Sequence, residues 1–191
     1  IITISGEDMD FSLRRPQPHF DFGPHCHAIQ QELQAWGFET RVTKKKRAAT
    51  SAVESAFLKA NTKQQLLAIE AAGALAGIVP NNQVLTIKVE VDVDPPPGFQ
   101  TETAFLLQPI PFSVRVYDLP SLFAGEMHAL LCRSWKNRVK GRDWDDFVWY
   151  VGRDTPLNLQ HLEQRMRQSQ HYTSKRPLDE RQFRRLLAAK I

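Results

Sequence analysis

Two carboxylates lie two residues apart near the start of the chain, at Asp8 and Asp10. The alternation around them, over Met9–Leu13, predicts a short strand. On a strand, side chains at i and i+2 point to the same face, with Cα atoms about 6–7 Å apart. Such a pair can hold one or two Mg²⁺ ions, which bind a few carboxylates together with substrate phosphates. The Asp-x-Asp pattern alone also occurs in many loops.

The most regular alternation in the chain runs from Ile87 to Asp94, where four apolar residues alternate with four charged ones. This period predicts a strand with one apolar face, and Lys88, Glu90, Asp92 and Asp94 line the other. Three carboxylates on one face repel each other, and a divalent cation would offset that repulsion. The alternative is an edge strand whose wet, charged face prevents aggregation. Together with the first carboxylate pair, this strand indicates metal-assisted phosphoryl chemistry.

A third charged group lies in the C-terminal half. The segment 118–135 has the apolar stripe of a helix, and Glu126 borders that stripe, where a carboxylate needs a partner. Asp143 and Asp146 lie one turn apart at the start of the next predicted helix, directly after a cationic loop. The purely structural interpretation is a capped helix with an ion pair between Arg142 and an aspartate.

The elements that must position these residues are strands in the first part of the chain and helices in the last part. Predicted strands cover 1–5, 9–13, 38–43, 87–94, 101–107 and 113–117, and predicted helices cover 24–36, 62–72, 120–135, 143–153, 157–167 and 178–189. The segment 51–59 is compatible with either a helix or a strand. This order predicts an α+β fold, with residues 1–118 as the core and residues 119–191 as a helical C-terminal part.

The composition is that of an ordinary globular protein. The 191 residues are 42% hydrophobic and 24% charged, enough for about one domain. No apolar stretch approaches the roughly 20 residues that a membrane span needs. Two cysteines and the lack of a basic, apolar leader indicate a reducing, cytoplasmic location. Because the chain starts at Ile1 within a predicted strand, we expect the natural protein to begin further upstream.

Positive charge is concentrated towards the end of the chain. Residues 133–191 contain 14 basic and 7 acidic residues, although the whole chain has a net charge of only +4. A basic face suits a polyanion such as RNA. The alternative is a solvated helical surface, and the same two interpretations apply to the run Lys44–Arg47.

Four stretches of the sequence resemble the AbiE-type (AbiEii) nucleotidyltransferase toxins of type IV toxin–antitoxin systems. They are 7–12, which contains the Asp-x-Asp motif; 87–92, the central strand; 122–131, in the first C-terminal helix; and 140–147, at the start of the next helix. The resemblance implies a polymerase-β-like nucleotidyltransferase core, with a mixed sheet and flanking helices, followed by a helical C-terminal part. It also implies transfer of a nucleotide from an NTP to an RNA acceptor, tRNA 3′ ends, with Mg²⁺ as cofactor and a cognate antitoxin as partner.

The resemblance assigns roles to the residues of the two acidic strands. It implies that Asp8 and Asp10 are catalytic metal ligands. Glu90, or alternatively Asp92 as a metal ligand, is then the third carboxylate, which could activate the acceptor hydroxyl. Lys88 shares that polar face and would meet a phosphate.

The resemblance also assigns roles in the C-terminal motifs. Asp143 corresponds to the functional aspartate of the last motif, and Arg142 and Asp146 support it in substrate binding. Glu126 stands where the family has a lysine that would meet a phosphate. The Gly-Ser turn that the family carries about ten residues before Asp-x-Asp does not fit into the seven residues before Asp8. These two departures favour the alternative of a catalytically disabled homologue that binds only antitoxin or RNA.

Overall fold

The computed structural model describes residues 2–5, 8–36, 39–43, 62–70, 84–108, 110–133 and 141–190. The strands are β1 Ile2–Ser5, β2 Asp8–Ser12, β3 Glu39–Thr43, β4 Thr62–Glu70, β5 Val84–Asp92, β6 Thr101–Leu106 and β7 Phe112–Tyr117. The helices are α1 Gly23–Ala35, α2 Leu119–Cys132, α3 Gly141–Val151, α4 Leu159–Gln168 and α5 Glu180–Ala188. The predicted mixed α+β class is confirmed. The segment 51–59, the loop 73–82 and the basic run 44–47 lie outside the described residues.

Five strands form one mixed sheet in the order β1-β2-β5-β4-β3. Strands β2 and β5 are parallel, and the other neighbours are antiparallel. Parallel strands need a long crossover connection between them, and the chain from β2 to β5 includes α1, β3 and β4. The pairing of β2 with β5 brings the Asp-x-Asp motif beside the alternating charged strand.

The core of this sheet lies on the apolar face of β5. Val89, Val91 and Val93 are buried together with Phe22 and Cys26, which lie at the start of α1. Ile29 and Leu33, further along α1, pack against the same cluster. The period-two pattern predicted over 87–94 is thus confirmed for Val89, Val91 and Val93, because burial of alternate residues requires them to share one face.

The prediction of a helix from Thr62 is wrong. Residues Thr62–Glu70 form β4, which pairs antiparallel with β5 on one side and with β3 on the other. Gln, Leu, Ala and Glu are good helix formers, but helix propensity is a weak prior that tertiary context often overrides. In β4 both edges of the backbone take part in ladder pairing, which outweighs that preference.

The C-terminal part begins with a hairpin and continues with helices. Strands β6 and β7 pair antiparallel from Thr101–Tyr117 to Leu106–Phe112. Asp118 then caps α2, its Oδ1 accepting a hydrogen bond from Ser121 N at 3.0 Å. Met127 and Leu130 of α2 and Leu162 of α4 are fully buried in the core of this part. None of the described helices is both long enough and apolar enough to cross a bilayer.

The described residues divide into two compact units, one up to Pro95 and one from Pro96 onward. We call them the sheet unit and the helical unit. The hairpin of β6 and β7 belongs to the helical unit, although the sequence pattern groups residues up to 118 with the core. The functional boundary at residue 118 stays a prediction.

Candidate functional site

The first candidate group is the polar face of β2 and β5 in the sheet unit. The parallel register sets Asp8 opposite Lys88, Asp10 opposite Glu90, and Ser12 opposite Asp92. Paired residues of neighbouring strands lie on the same face, and the strands are about 4.8 Å apart. For Asp8 and Lys88 this placement rests on the backbone alone. The Asp-x-Asp pattern and the alternating charged pattern therefore meet at one face of the sheet, and α1 covers the other face.

Burial and hydrogen bonding distinguish the three carboxylates that are described at this face. Asp10, Glu90 and Asp92 are half-buried, and Oδ1 of Asp10 is fully buried. Oδ1 of Asp92 accepts a hydrogen bond from Asp94 N at 3.0 Å, at the turn that ends β5. Because Asp92 helps to end the strand while Glu90 lies directly beside Asp10, Glu90 is the better placed third carboxylate.

The donor chemistry of this face suits Mg²⁺, which prefers carboxylate oxygens and keeps part of its water shell. Within the described side chains, no group of three or more His, Cys, Asp or Glu is close enough to hold a metal ion. The side chain of Asp8, the remaining predicted ligand, is outside that set.

The second candidate group lies on α2 and α3 in the helical unit. Asp143, in the first turn of α3, is buried, and Nη1 of Arg133 lies 3.3 Å from each of its carboxylate oxygens. The ion pair observed for Asp143 thus involves Arg133, where the sequence suggested Arg142 as the aspartate partner. Arg133 is the member of this charged group that sequence reasoning missed. The available signal was its spacing, because Arg133 follows Glu126 by seven residues, or two helical turns on the same face.

Glu126 lies in the electrostatic field of this second group. Burial raises the pKa of the Glu126 carboxyl above its ordinary value of 4.5, and the negative charges of Asp146 and Asp143 raise it further. Arg133 and Arg142 oppose the increase without reversing it. The structure therefore brings together the four residues predicted from the C-terminal motifs.

Tyr150, one helical turn beyond Asp146 on α3, belongs to the same neighbourhood. Burial raises the pKa of its hydroxyl to about 12, and the charges of Glu126 and Asp146 add to the increase. Its ring stacks on Phe123 with centroids 4.7 Å apart. The hydroxyl is therefore a neutral hydrogen-bonding group at physiological pH.

Two histidines of the helical unit are buried outside this group. His128 Nε2 lies 2.8 Å from Ser169 Oγ, and burial, reinforced by the charge of Arg165, lowers the pKa of His128 to about 3. His161 Nδ1 lies 3.0 Å from the Pro97 carbonyl oxygen, and burial lowers its pKa to about 4. A carbonyl only accepts, so Nδ1 of His161 is the donor. Both rings are neutral packing residues.

Comparison with known proteins assigns the class. The chain is a nucleotidyltransferase by family, consistent with its mixed α+β fold. It belongs to the AbiEii family, whose model, described as "Nucleotidyl transferase AbiEii toxin, Type IV TA system", matches residues 6–191. This match confirms the resemblance seen in the sequence, and the family implies a nucleotide substrate and an antitoxin partner. No curated protein matches the chain.

Proposed function

We propose that this protein transfers a nucleotide from an NTP to an RNA acceptor, a tRNA 3′ end, as the toxin of an abortive infection system in the bacterial cytoplasm. The observation that supports this most directly is the register of β2 and β5, which sets Asp10 beside Glu90. Family membership supplies the reaction type, and the carboxylate face supplies residues of the right chemistry to perform it.

In the proposed reaction, an acceptor hydroxyl oxygen forms a bond to the α-phosphorus of the NTP. The bond from that phosphorus to the bridging oxygen breaks, and pyrophosphate leaves. Glu90 accepts the proton of the attacking hydroxyl, and Lys88 contacts a phosphate. Asp8 and Asp10, with Asp92 as the alternative ligand, would hold Mg²⁺, which when bound neutralises phosphate charge and orients the reacting groups.

In the helical unit, we assign Asp143 as the functional aspartate and Arg133 as its positioning residue. The ion pair at 3.3 Å fixes the orientation of the Asp143 carboxylate. Arg142 and Asp146 lie in the same charged group and contribute to substrate binding. Glu126 occupies the position of the family lysine.

A second function has one specific observation in its favour. Burial is the main cause of the raised pKa of Glu126, and the charges of Asp146 and Asp143 add to it while Arg133 and Arg142 oppose them. A lysine at this position would offset the two carboxylate charges, whereas a glutamate adds a third. Loss of one preorganised electrostatic contact can reduce a rate by about 10²–10³. The alternative function is therefore a catalytically disabled homologue that binds only its antitoxin or RNA.

The test is transfer of labelled nucleotide from each NTP to total tRNA in the presence of Mg²⁺. We expect labelling by the wild-type chain, and a loss of at least about 10² in rate for Asp10→Asn and Glu90→Gln. Glu102→Gln, which alters an exposed carboxylate on β6, is the matched control and retains full labelling. Labelling only after Glu126→Lys would support the disabled homologue. Labelling that survives Asp10→Asn would refute the assignment of the site.

A further inference from the structure

The last part of the chain holds an excess of cations that the proposed active site does not use. Residues 164–191 contain eight basic and two acidic residues, whereas the net charge of the whole chain is +4. Within this stretch, Arg167 has a carboxylate partner in Glu163 at 2.7 Å. Most of the other cations point to solvent.

Helix α5 packs one side against the core and carries its arginines on the exposed side. Phe183, Leu186 and Leu187 pack against the core of the helical unit. Its three arginines, Arg181, Arg184 and Arg185, are exposed. Arg184 pairs with Glu180 at 2.6 Å. Within the described part of the chain, the side chains of Arg181 and Arg185 make no ion pair or hydrogen bond, so their charges are available to an external anion.

The loop before α5 adds two more exposed cations, Lys175 and Arg176. Hydrogen bonds to the backbone hold this loop in place. Nη2 of Arg167 donates to the carbonyl oxygens of Ser174 at 2.7 Å and Arg176 at 3.3 Å. Tyr172 Oη donates to the Arg176 carbonyl at 3.1 Å. The loop cations thus project from an ordered backbone directly before α5.

We infer that Lys175, Arg176, Arg181, Arg184 and Arg185 form a surface that binds the phosphate backbone of RNA, here named the α5 cationic surface. Arginine suits phosphate because its planar guanidinium can donate two parallel hydrogen bonds. The aromatic neighbours Tyr172 and Phe183 are partly buried against the core, which favours phosphate contacts over base stacking. The inference rests on the proposed function for the identity of the polyanion, since the proposed acceptor is RNA.

The test measures binding of unmodified tRNA to the whole chain as a function of salt concentration. Each phosphate contact contributes about 0.7–0.9 to the slope of log K against log salt. For Arg181→Gln/Arg185→Gln we expect the slope to decrease by about 1.5–2 and the affinity at moderate salt to fall about tenfold or more. Arg14→Gln/Arg15→Gln, in an exposed loop of the sheet unit, removes the same charge and is expected to leave the slope unchanged.

Three outcomes would overturn the inference. One is an equal loss of slope in both double variants, which would mean diffuse attraction rather than a defined surface. Another is an unchanged slope in the α5 variant while its unfolding midpoint matches that of the wild type. The third is binding of polyglutamate with an affinity equal to or above that of tRNA, which would point to an acidic protein partner.

Nucleotide transfer measured on the same samples separates this inference from the proposed function. Transfer by the wild type, with tRNA binding insensitive to the α5 substitutions, would contradict only the α5 surface. A reduced slope in the α5 variant without transfer in any sample would support the surface and contradict the enzymatic role.

Discussion

Glu126 is partly buried in the helical unit, and burial together with the charges of Asp146 and Asp143 raises the pKa of its carboxyl. Its pKa is raised, so the folded chain binds this proton more tightly than the unfolded chain does. That contribution to stability is fully present below the ordinary carboxyl value of 4.5 and is lost as the pH rises through the raised pKa. At neutral pH the Glu126 carboxylate therefore destabilises the helical unit.

Replacing Glu126 with Gln should remove this destabilisation. We expect Glu126→Gln to raise the unfolding midpoint at pH 7 by about 2–4 °C, the shift that accompanies about 1 kcal/mol in a chain of this size. The difference should vanish near pH 4, where the native glutamate is protonated. Thermal unfolding at pH 4, 5, 6 and 7 checks this. A difference that is constant across the pH range would rule out an electrostatic origin.

The ion pair of Asp143 should also contribute measurably to the free energy of unfolding. Asp143 is buried, while the side chain of its partner Arg133 is 40% exposed, so solvent screens part of the interaction. We expect Arg133→Gln to cost about 1–3 kcal/mol, because it leaves a buried carboxylate without its cation. Adding Asp143→Asn should recover part of that loss. A double-mutant cycle, with the free energy of unfolding of each variant measured in urea, checks this.

The exposed pair on α5 is the matched comparison for this cycle. Glu180 and Arg184 are 69% and 75% exposed, and such pairs contribute little. Arg184→Gln should therefore change the free energy of unfolding by less than about 0.5 kcal/mol. Equal losses from Arg133→Gln and Arg184→Gln would mean that burial of Asp143 does not strengthen its ion pair.

At the scale of elements, β4 is where sequence reasoning failed. Its run of glutamines, leucines and alanine favours a helix locally, and the pairing partners that make it a strand lie elsewhere in the chain. In contrast, β5 was predictable because its alternation and its terminating prolines are local signals. The pairing of β5 with β2 was not predictable, because register depends on tertiary contacts.

Substitution in β4 can distinguish a strand from a helix. Gln65 pairs with Val89 of β5, and threonine is favoured in strands but disfavoured in helices. We expect Gln65→Thr to leave the free energy of unfolding unchanged or to increase it by up to about 1 kcal/mol. Urea unfolding measures this. A loss above about 0.5 kcal/mol, the size of the helix penalty, would argue against the strand.

At the scale of the whole molecule, the division at Pro95 predicts that the helical unit folds by itself. It contains its own buried cluster, centred on Met127, Leu130 and Leu162, and has the size of a small domain. We expect residues 96–191 expressed alone to show a helical circular dichroism spectrum and one cooperative thermal transition. A fragment without cooperative unfolding would show that its core needs the sheet unit.

The same fragment tests the acid sensitivity of the helical unit. The pKa values of His128 and His161 are lowered to about 3 and 4, so the unfolded chain binds these protons first. Their contribution to stability is present above the ordinary histidine value of 6.5 and is lost as the pH falls towards 4. The urea midpoint should fall steadily from pH 7 to pH 4.5. His161→Asn, which keeps a side-chain donor near the Pro97 carbonyl, should weaken this dependence.

The candidate site could be predicted in parts and not as a whole. Asp8, Asp10 and Glu90 stood out because strand alternation predicts carboxylates on one face, and the register pairs Asp10 directly with Glu90. Asp143 and Glu126 were identifiable from family motifs. Arg133 was not assigned, because the choice between it and Arg142 depends on how α2 and α3 pack, which helical period alone does not specify.

The two buried cysteines allow the local unfolding rate of each unit to be measured separately. Cys26 is buried in the sheet unit and Cys132 in the helical unit, and neither forms a disulfide. Burial also raises the pKa of Cys132 to about 11, which further suppresses the reactive thiolate. Each unit therefore carries one native cysteine whose alkylation rate depends on how often that unit unfolds locally. Mass spectrometry of the two cysteine peptides would measure both rates without an engineered label.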